Sequence, residues 1–200
     1  MDKRVAAFLK VLDTDDTTTG GGTASAVAGA MAAGLAAMVS TLSLGKPGME
    51  PEQFYLQRKK VLDDLSQELF TGGWQDTAAF AAVQEAYRLP KASPQEKDVR
   101  RRAVQAAWVE ATEVPLANAE KCLRVLTLAT ELEGHSNENA ASDLRCAQYL
   151  AYVGALGCLE NVEINVPMIK DEYTAKALAE RAQSIWTAAA EHRPRRSDFL

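Results

Sequence analysis

The sequence predicts an all-α protein, and three observations support that prediction. Apolar residues recur at intervals of three and four in every long segment, which is the spacing of one face of an α-helix. Residues 17–44 carry no charge and consist mostly of alanine, glycine, serine and threonine, so they form a helix that neighbours approach closely. No segment alternates with a period of two for long enough to indicate a strand. We therefore expect one domain over residues 1–200, a bundle of long antiparallel helices around an Ala/Gly-rich central helix.

Composition narrows the class of protein. The chain has 200 residues, 47% of them hydrophobic, which is enough to bury the core of one domain. Its net charge of −5 supplies no basic field, so we expect no nucleic-acid partner. Cys122, Cys146 and Cys158 share no metal-ligand spacing, so we interpret them as reduced core residues and expect no metal site. The N-terminus has no signal-peptide pattern, and we expect a cytoplasmic protein.

A first helix is predicted to begin after the capping residue Asp2 and to end in the polar run 13–19. Gly20, Gly21 and Gly22 follow. Glycines before a helix leave N–H groups that no side chain shields, which suits an anionic or planar ligand, and we expect at least one of them to have a positive φ. A purely structural role in packing the next helix is the alternative.

The central helix is predicted from Thr23 to Leu44, with Gly45 as its left-handed cap and Pro47 just beyond. Its apolar stripe consists of Val27, Met31, Leu35, Met38 and Leu42. The uncharged run is also long enough for a membrane span. Many of its residues are only weakly apolar, however, and no second such segment follows, so we expect no membrane.

A third helix is predicted to begin at Pro51 and to be interrupted by Gly72 and Gly73. The helical pattern resumes over residues 74–89, so Asp76 falls in the first turn after this break. A carboxylate at that position favours its ionised form because it faces the positive end of the helix dipole. Such a charge stabilises a helix by about 0.3–1 kcal/mol, which is a sufficient structural explanation of Asp76.

Ser93 and Glu96 form a capping box with proline between them, so another helix begins there, and Pro115 is predicted to kink or break it. A helix follows from about Ser142 toward Pro167, and a last helix is capped by Asp171.

Asn161 and Asn165 lie one turn apart on an apolar helix face, which is unusual. Their amides either satisfy neighbouring backbone groups or hydrogen-bond a polar ring, and the residues alone leave both explanations open.

The ordered set of motifs resembles the cyclodeaminase/cyclohydrolase family of folate enzymes over nearly the whole chain. In chain order the matching motifs are Gly20-Gly21-Gly22, Gly45-Lys46, Asp76 with Phe80, Leu89-Pro90-Lys91, Glu96-Lys97 with Arg100, Val114-Pro115-Leu116, Asn137-x-Asn139-x-x-Ser142-Asp143 and Asn161-Val162-x-Ile164-Asn165. No single motif is specific, but their order is.

The resemblance implies an enzyme that acts on tetrahydrofolate carrying a one-carbon unit between N5 and N10. One branch of the family closes 5-formiminotetrahydrofolate with loss of ammonia, and the other hydrolyses 5,10-methenyltetrahydrofolate to 10-formyltetrahydrofolate. Because no transferase domain is fused to this chain, we expect the cyclohydrolase, with the cyclodeaminase as the alternative. A non-catalytic helical dimer that binds folate is a second alternative. The resemblance also implies a homodimer and no cofactor beyond the tetrahydrofolate substrate.

By the same resemblance, Asp76 is the catalytic acid/base. The residues expected to hold the pterin are Gly20, Gly21, Gly22, Asn137, Asn139, Ser142, Asp143, Asn161 and Asn165. Lys46 and Lys91 are expected to meet the glutamate tail. Ser142 and Asp143 have a structural alternative as the cap of the helix that begins there.

Overall fold

The computed structural model describes residues 1–194, which form six α-helices and no strand. The helices are α1 (Lys3–Val11), α2 (Gly21–Ser43), α3 (Glu52–Arg88), α4 (Pro94–Glu131), α5 (Ala141–Asn165) and α6 (Glu172–Glu191). One 3₁₀ turn, Glu138–Ala140, precedes α5 and another, Val166–Met168, follows it. The all-α prediction is confirmed.

Helices α2 to α5 form a bundle in which each helix packs against the next and α5 packs back against α2. Neighbouring helices are antiparallel. The Thr23 hydroxyl of α2 lies 3.0 Å from the carbonyl oxygen of Gly73, whereas the carbonyl of Ala30, further along α2, accepts from Ser66, earlier in α3. Helix α1 covers α3 and α2, and α6 covers α5 and α4.

Helix α2 is the centre of the bundle because its small side chains let neighbouring helices approach from several sides. Ala26, Ala32, Ala33 and Ala36 are fully buried. This helix is also long and apolar enough to cross a membrane, with a mean hydropathy of 1.6 over its most apolar stretch. Within the domain, 61% of that stretch is buried against other helices.

Several predicted helix ends are confirmed. The Ser93 hydroxyl accepts from the Glu96 N–H at 3.2 Å, and the Glu96 carboxylate accepts from the Ser93 N–H at 2.8 Å, which completes the capping box. The Asp171 carboxylate accepts from the N–H of Thr174 at 3.0 Å and caps α6. Gly45 follows α2 with a φ of 65°.

The predicted interruption at Gly72 and Gly73 is wrong, because α3 runs through both residues. A β-carbon at position 72 would overlap the side-chain oxygen of Asn118, which packs there from α4. A glycine inside a helix costs about 1 kcal/mol relative to alanine, and here close packing between helices offsets that cost. Pro115 also lies inside an unbroken helix, α4.

Two smaller expectations also need correction. Cys122 and Cys158 are buried as expected, but Cys146 is exposed. Helix α2 begins at Gly21, two residues earlier than Thr23, because the second and third glycines already adopt helical backbone.

Candidate active site

Asp76 lies in the middle of α3 and faces the first turn of α2. Its Oδ2 atom is 3.1 Å from the hydroxyl of Thr23, which is also 3.0 Å from the carbonyl oxygen of Gly73 and 2.9 Å from the hydroxyl of Thr77. A hydroxyl donates one hydrogen and accepts two. Thr23 therefore donates to the ionised carboxylate, and when Asp76 is protonated the Thr23 hydrogen turns to Gly73. This arrangement accommodates both protonation states of Asp76.

The Asp76 carboxylate lies directly on the main chain of Gly22. A β-carbon at residue 22 would stand 2.5 Å from one carboxylate oxygen and 2.6 Å from the other, so the carboxylate keeps this position only beside glycine. The expected positive φ in the glycine triplet is wrong, because Gly20 is extended, with a φ of −125°, and Gly21 and Gly22 are helical. Gly22 is required for space and not for an unusual backbone conformation.

Burial raises the pKa of the Asp76 carboxyl above its ordinary value, and the hydrogen bonds from the Thr23 hydroxyl and N–H oppose that rise only in part. The expectation that Asp76 lies in the first turn of a helix is wrong, because α3 begins at Glu52. Asp76 is not at the start of α3, and the loss of water outweighs the two hydrogen bonds. A raised pKa brings the carboxyl closer to neutral pH, which favours its use as an acid and base.

Asp76 opens into a cleft of about 230 Å³ formed by the loop before α2 and by α3, α4 and α5. Its other lining residues are Thr17, Thr18, Gly20, Phe80, Ala111, Asn161, Ile164 and Asn165. Phe80 and Ile164 are exposed and supply apolar surface beside the buried carboxylate. The cleft thus combines one proton-transfer group, apolar surface for a ring, and amide groups.

Asp16 holds the loop that forms the rim of this cleft. Its Oδ1 atom accepts from the N–H of Thr18 at 2.7 Å and from the Thr18 hydroxyl at 2.6 Å, and Lys10 approaches Oδ2 at 3.5 Å. The Thr18 hydrogen bonds lower the pKa of Asp16 to about 2. Sequence reasoning missed Thr17 and Thr18 as cleft residues, although an aspartate two residues before a threonine is a known turn pattern.

The two asparagines of α5 line the cleft and bond to backbone with their amide nitrogens. Asn161 Nδ2 donates to the carbonyl of Gly157 at 2.8 Å, and Asn165 Nδ2 donates to the carbonyl of Ala111 at 2.8 Å. The backbone role that the sequence left open is therefore present. It uses only the nitrogen of each side chain.

The structure brings one group of expected site residues together and leaves another apart. Around Asp76 it gathers the glycine triplet and both α5 asparagines, and a β-carbon at Gly21 would lie 3.5 Å from Asn161 Nδ2. Five residues lie toward the opposite end of α2, about 30 Å away at 1.5 Å per residue. These are Lys46, Asn137, Asn139, Ser142 and Asp143. Lys91 lies in the connection between α3 and α4, beyond the cleft.

Asn137 uses its backbone N–H and its side-chain amide in hydrogen bonds within the chain. Its N–H donates to the Ser43 hydroxyl at 2.9 Å and its Nδ2 donates to the carbonyl of Leu42 at 3.1 Å. Asn137 therefore supplies hydrogen-bond donors to the last turn of α2. Its Oδ1 accepts from the N–H of Asn139. The residue that caps α5 is Ala140, so the structural alternative of a cap at Ser142 and Asp143 is wrong.

Residues 4–184 match the family described as formiminotransferase-cyclodeaminase, with the cleft residues inside the matched segment. The chain belongs to this family. It is 33% identical to the methenyltetrahydrofolate cyclohydrolase of Methylorubrum extorquens, over 94% of this chain and 91% of that protein. The resemblance drawn from the motifs is confirmed.

Two further relatives connect this family member to the second branch. It is 32% identical to the formimidoyltransferase-cyclodeaminase of Gallus gallus, and it spans 32% of that protein's length. The crystal structure of formiminotetrahydrofolate cyclodeaminase from Thermotoga maritima superposes with a TM-score of 0.76 at 27% identity, over 93% of each chain. The helical bundle is therefore the fold of a cyclodeaminase.

Proposed function

We propose that this folate one-carbon enzyme hydrolyses 5,10-methenyltetrahydrofolate to 10-formyltetrahydrofolate, with Asp76 as the acid/base. The observation that carries the proposal is the position of Asp76, a half-buried carboxyl of raised pKa at the floor of a cleft wide enough for part of a folate ring. The cyclohydrolase relative, matched over 91% of its length, supports hydrolysis as the main reaction.

The chemistry requires little more than one placed carboxylate. The methenyl carbon belongs to an amidinium-like cation and is already electrophilic, so we propose that no metal, covalent nucleophile or further cofactor takes part. The Asp76 carboxylate accepts a proton as water adds to that carbon. The protonated carboxyl then donates to N5 as the bond between carbon and N5 breaks, and the hydroxyl proton leaves to solvent. Proton transfer of this kind contributes about 10²–10⁴-fold to the rate.

Thr23 supports both halves of this cycle. Its hydroxyl donates to Asp76 while the carboxylate is ionised. When the carboxyl is protonated, the Thr23 hydroxyl can donate to the Gly73 carbonyl and accept from Asp76.

The remaining cleft residues fit the substrate's ring system. Phe80 and Ile164 supply apolar surface for a planar ring, and the main chain of Gly20 and Gly21 leaves room for its close approach. Asn161 and Asn165 provide polar groups for the ring edge. We propose Lys46 and Lys91 as contacts for the glutamate tail.

We propose that the working form is a homodimer built on the exposed stripe of α2. Met31, Met38 and Leu42 are 49%, 39% and 42% exposed on the most apolar helix of the chain. They are spaced by seven and four residues, which is the spacing of a helix-pairing seam. Tyr149 and Val153 of α5 are also exposed. A second copy of the same surface would cover this stripe, as in an isologous dimer.

An antiparallel pairing of the two α2 stripes would also explain why the expected site residues lie at opposite ends of the bundle. It would bring Lys46 and Asn139 of one protomer toward the end of its partner where Asp76 lies. Residues about 30 Å apart in one chain would then serve one cleft.

We propose that this dimer works in the cytoplasm without a nucleic-acid or membrane partner. The net charge of −5 favours neither polyanions nor anionic lipid surfaces, and the apolar surface of α2 has its use in the bundle core and in the dimer.

The second candidate reaction is closure of 5-formiminotetrahydrofolate with release of ammonia, favoured by the structural match to a cyclodeaminase over 93% of both chains. The test is to incubate purified protein with each folate and to follow methenyl absorbance together with ammonia. Loss of methenyl absorbance without ammonia supports the cyclohydrolase, and ammonia release with a gain in that absorbance supports the cyclodeaminase. Binding of both folates without turnover would support a non-catalytic dimer.

A further inference from the structure

We propose that Asn165 accepts a hydrogen bond from the substrate through its side-chain oxygen, and that Pro115 fixes this orientation by leaving the Ala111 carbonyl unpaired in α4. The inference rests on the proposed function of the Asp76 cleft. It goes further by assigning a direction to the hydrogen bond and by giving Pro115 a part in positioning Asn165.

One backbone carbonyl of α4 lacks its helical donor. Pro115 lies inside this helix and has no N–H, so the carbonyl of Ala111, four residues earlier, has no helical donor. Ala111 is buried and lines the cleft. A buried carbonyl without a donor is costly, so this position needs a donor from outside α4.

Asn165, the last residue of α5, supplies the missing donor. Its Nδ2 donates to the Ala111 carbonyl at 2.8 Å. A carbonyl only accepts, so the nitrogen and not the oxygen of the amide must face it. In residues 1–194 no protein group donates to Asn165 Oδ1, which is therefore the atom left for a ligand in the cleft.

Asn161, one turn earlier, has the same polarity because its Nδ2 donates to the carbonyl of Gly157. The α5 wall thus presents two side-chain oxygens, on residues whose β-carbons are roughly 6 Å apart, and both are acceptors. A ligand that satisfies them must carry N–H donors along one edge. The reduced pterin ring has such donors in its ring N–H and amino groups, so we assign this wall to that edge of the substrate.

Pro115→Ala is the main test, because alanine restores the missing N–H and is a good helix former, so the variant should fold. The restored N–H then shares the Ala111 carbonyl with the Asn165 amide, so that amide is held less tightly and can rotate more often. We expect the KM for the methenyl substrate to rise roughly two- to fivefold, since only part of the population keeps the oxygen in place, with kcat within about twofold. Pro94→Ala, at the exposed start of the same helix, is the matched control and should leave KM unchanged.

Asn165→Leu and the combination of Asn165→Leu with Pro115→Ala complete a double-mutant cycle. Asn165→Leu should raise KM roughly tenfold through the lost hydrogen bond. Pro115→Ala should then have no further effect on KM in the Asn165→Leu background. An equal rise in KM in both backgrounds would show that Pro115 acts through the shape of α4, and an unchanged KM in Pro115→Ala alone would overturn the proposal.

A measurement without substrate separates this inference from the proposed function. In the wild type, the side-chain amide hydrogens of Asn165 should be protected from exchange with water, and Pro115→Ala should reduce that protection. If the wild type turns over neither folate, the proposed function is refuted. The exchange measurement still tests the anchoring of Asn165, because it needs no substrate. Unchanged exchange in Pro115→Ala would refute the anchoring of Asn165.

Discussion

The carboxylate of Asp76 lies on the main chain of Gly22, where a β-carbon would stand 2.5 Å from its nearest oxygen. We therefore predict that Gly22→Ala pushes the Asp76 carboxylate aside. A displacement of about 1 Å at a reacting group can cost 10²-fold, so kcat should fall by up to roughly that factor. The carboxylate is the end of a side chain and can move, so the thermal melt should change little.

The control for Gly22→Ala is Gly34→Ala in the same helix, where an added methyl group meets no atom nearer than 3.9 Å. It adds the same methyl group to α2 and should leave kcat as it is while sedimentation shows a dimer, because Gly34 lies on the exposed stripe between Met31 and Met38. If both variants lose activity alike, the cause is the helix and not the contact with Asp76.

Thr23→Val tests how the pKa of Asp76 is set. Burial raises that pKa and the Thr23 hydroxyl opposes the rise, so removing the hydroxyl should raise it further. Asp76 must be ionised to take a proton from water, and kcat/KM therefore declines on the acid side of its pKa. We predict that this acid limb moves to higher pH in Thr23→Val, with the rate on the alkaline side changing least.

Thr130→Val provides the comparison, because the Thr130 hydroxyl donates to the carbonyl of Leu126 in its own helix, away from Asp76. Its pH profile should overlay that of the wild type. If the acid limb of kcat/KM does not move in Thr23→Val, the Thr23 hydroxyl does not lower the pKa of Asp76 in the active enzyme.

The exposed stripe of α2 predicts the oligomeric state. A lysine at position 38 would place a charge in the middle of the proposed dimer surface, so Met38→Lys should shift sedimentation from dimer to monomer at micromolar concentration. Leu56→Lys, at an exposed position on α3 outside that surface, should remain dimeric. A wild-type protein that sediments as a monomer would refute the dimer itself.

The local signals of helix ends could be predicted from the sequence because they depend on neighbouring residues alone. Ser93 with Glu96, Asp171 and Gly45 all act as expected. Gly72 and Pro115 did not, because each is explained by a partner distant in sequence. Gly72 leaves room for the side chain of Asn118.

The candidate site was only partly predictable for the same reason. Asp76 was found through the order of motifs, but its contact with Thr23 joins residues 53 positions apart, which no local pattern encodes. The stripe of Met31 and Leu42 was correctly predicted to share one helix face. Periodicity does not tell whether such a face meets the same chain or a second copy, and here much of it is exposed.

Asp76→Asn is expected to lower the activity of the enzyme and to raise its thermal stability. Asp76→Asn keeps the shape of the side chain but cannot carry a proton, so kcat should fall by about 10²-fold or more with little change in KM. The pKa of Asp76 is raised in the folded protein, so the native state holds its proton more tightly than the unfolded state. The wild type therefore loses stability as the pH rises from the ordinary aspartate pKa through the raised one. Asparagine has no such loss, so thermal melts should show Asp76→Asn more stable than the wild type at pH 8, with a smaller difference toward pH 4. Asp64→Asn, an exposed carboxylate on the same helix, should show neither effect. Near-normal turnover in Asp76→Asn would remove Asp76 from the mechanism, whatever the melts show.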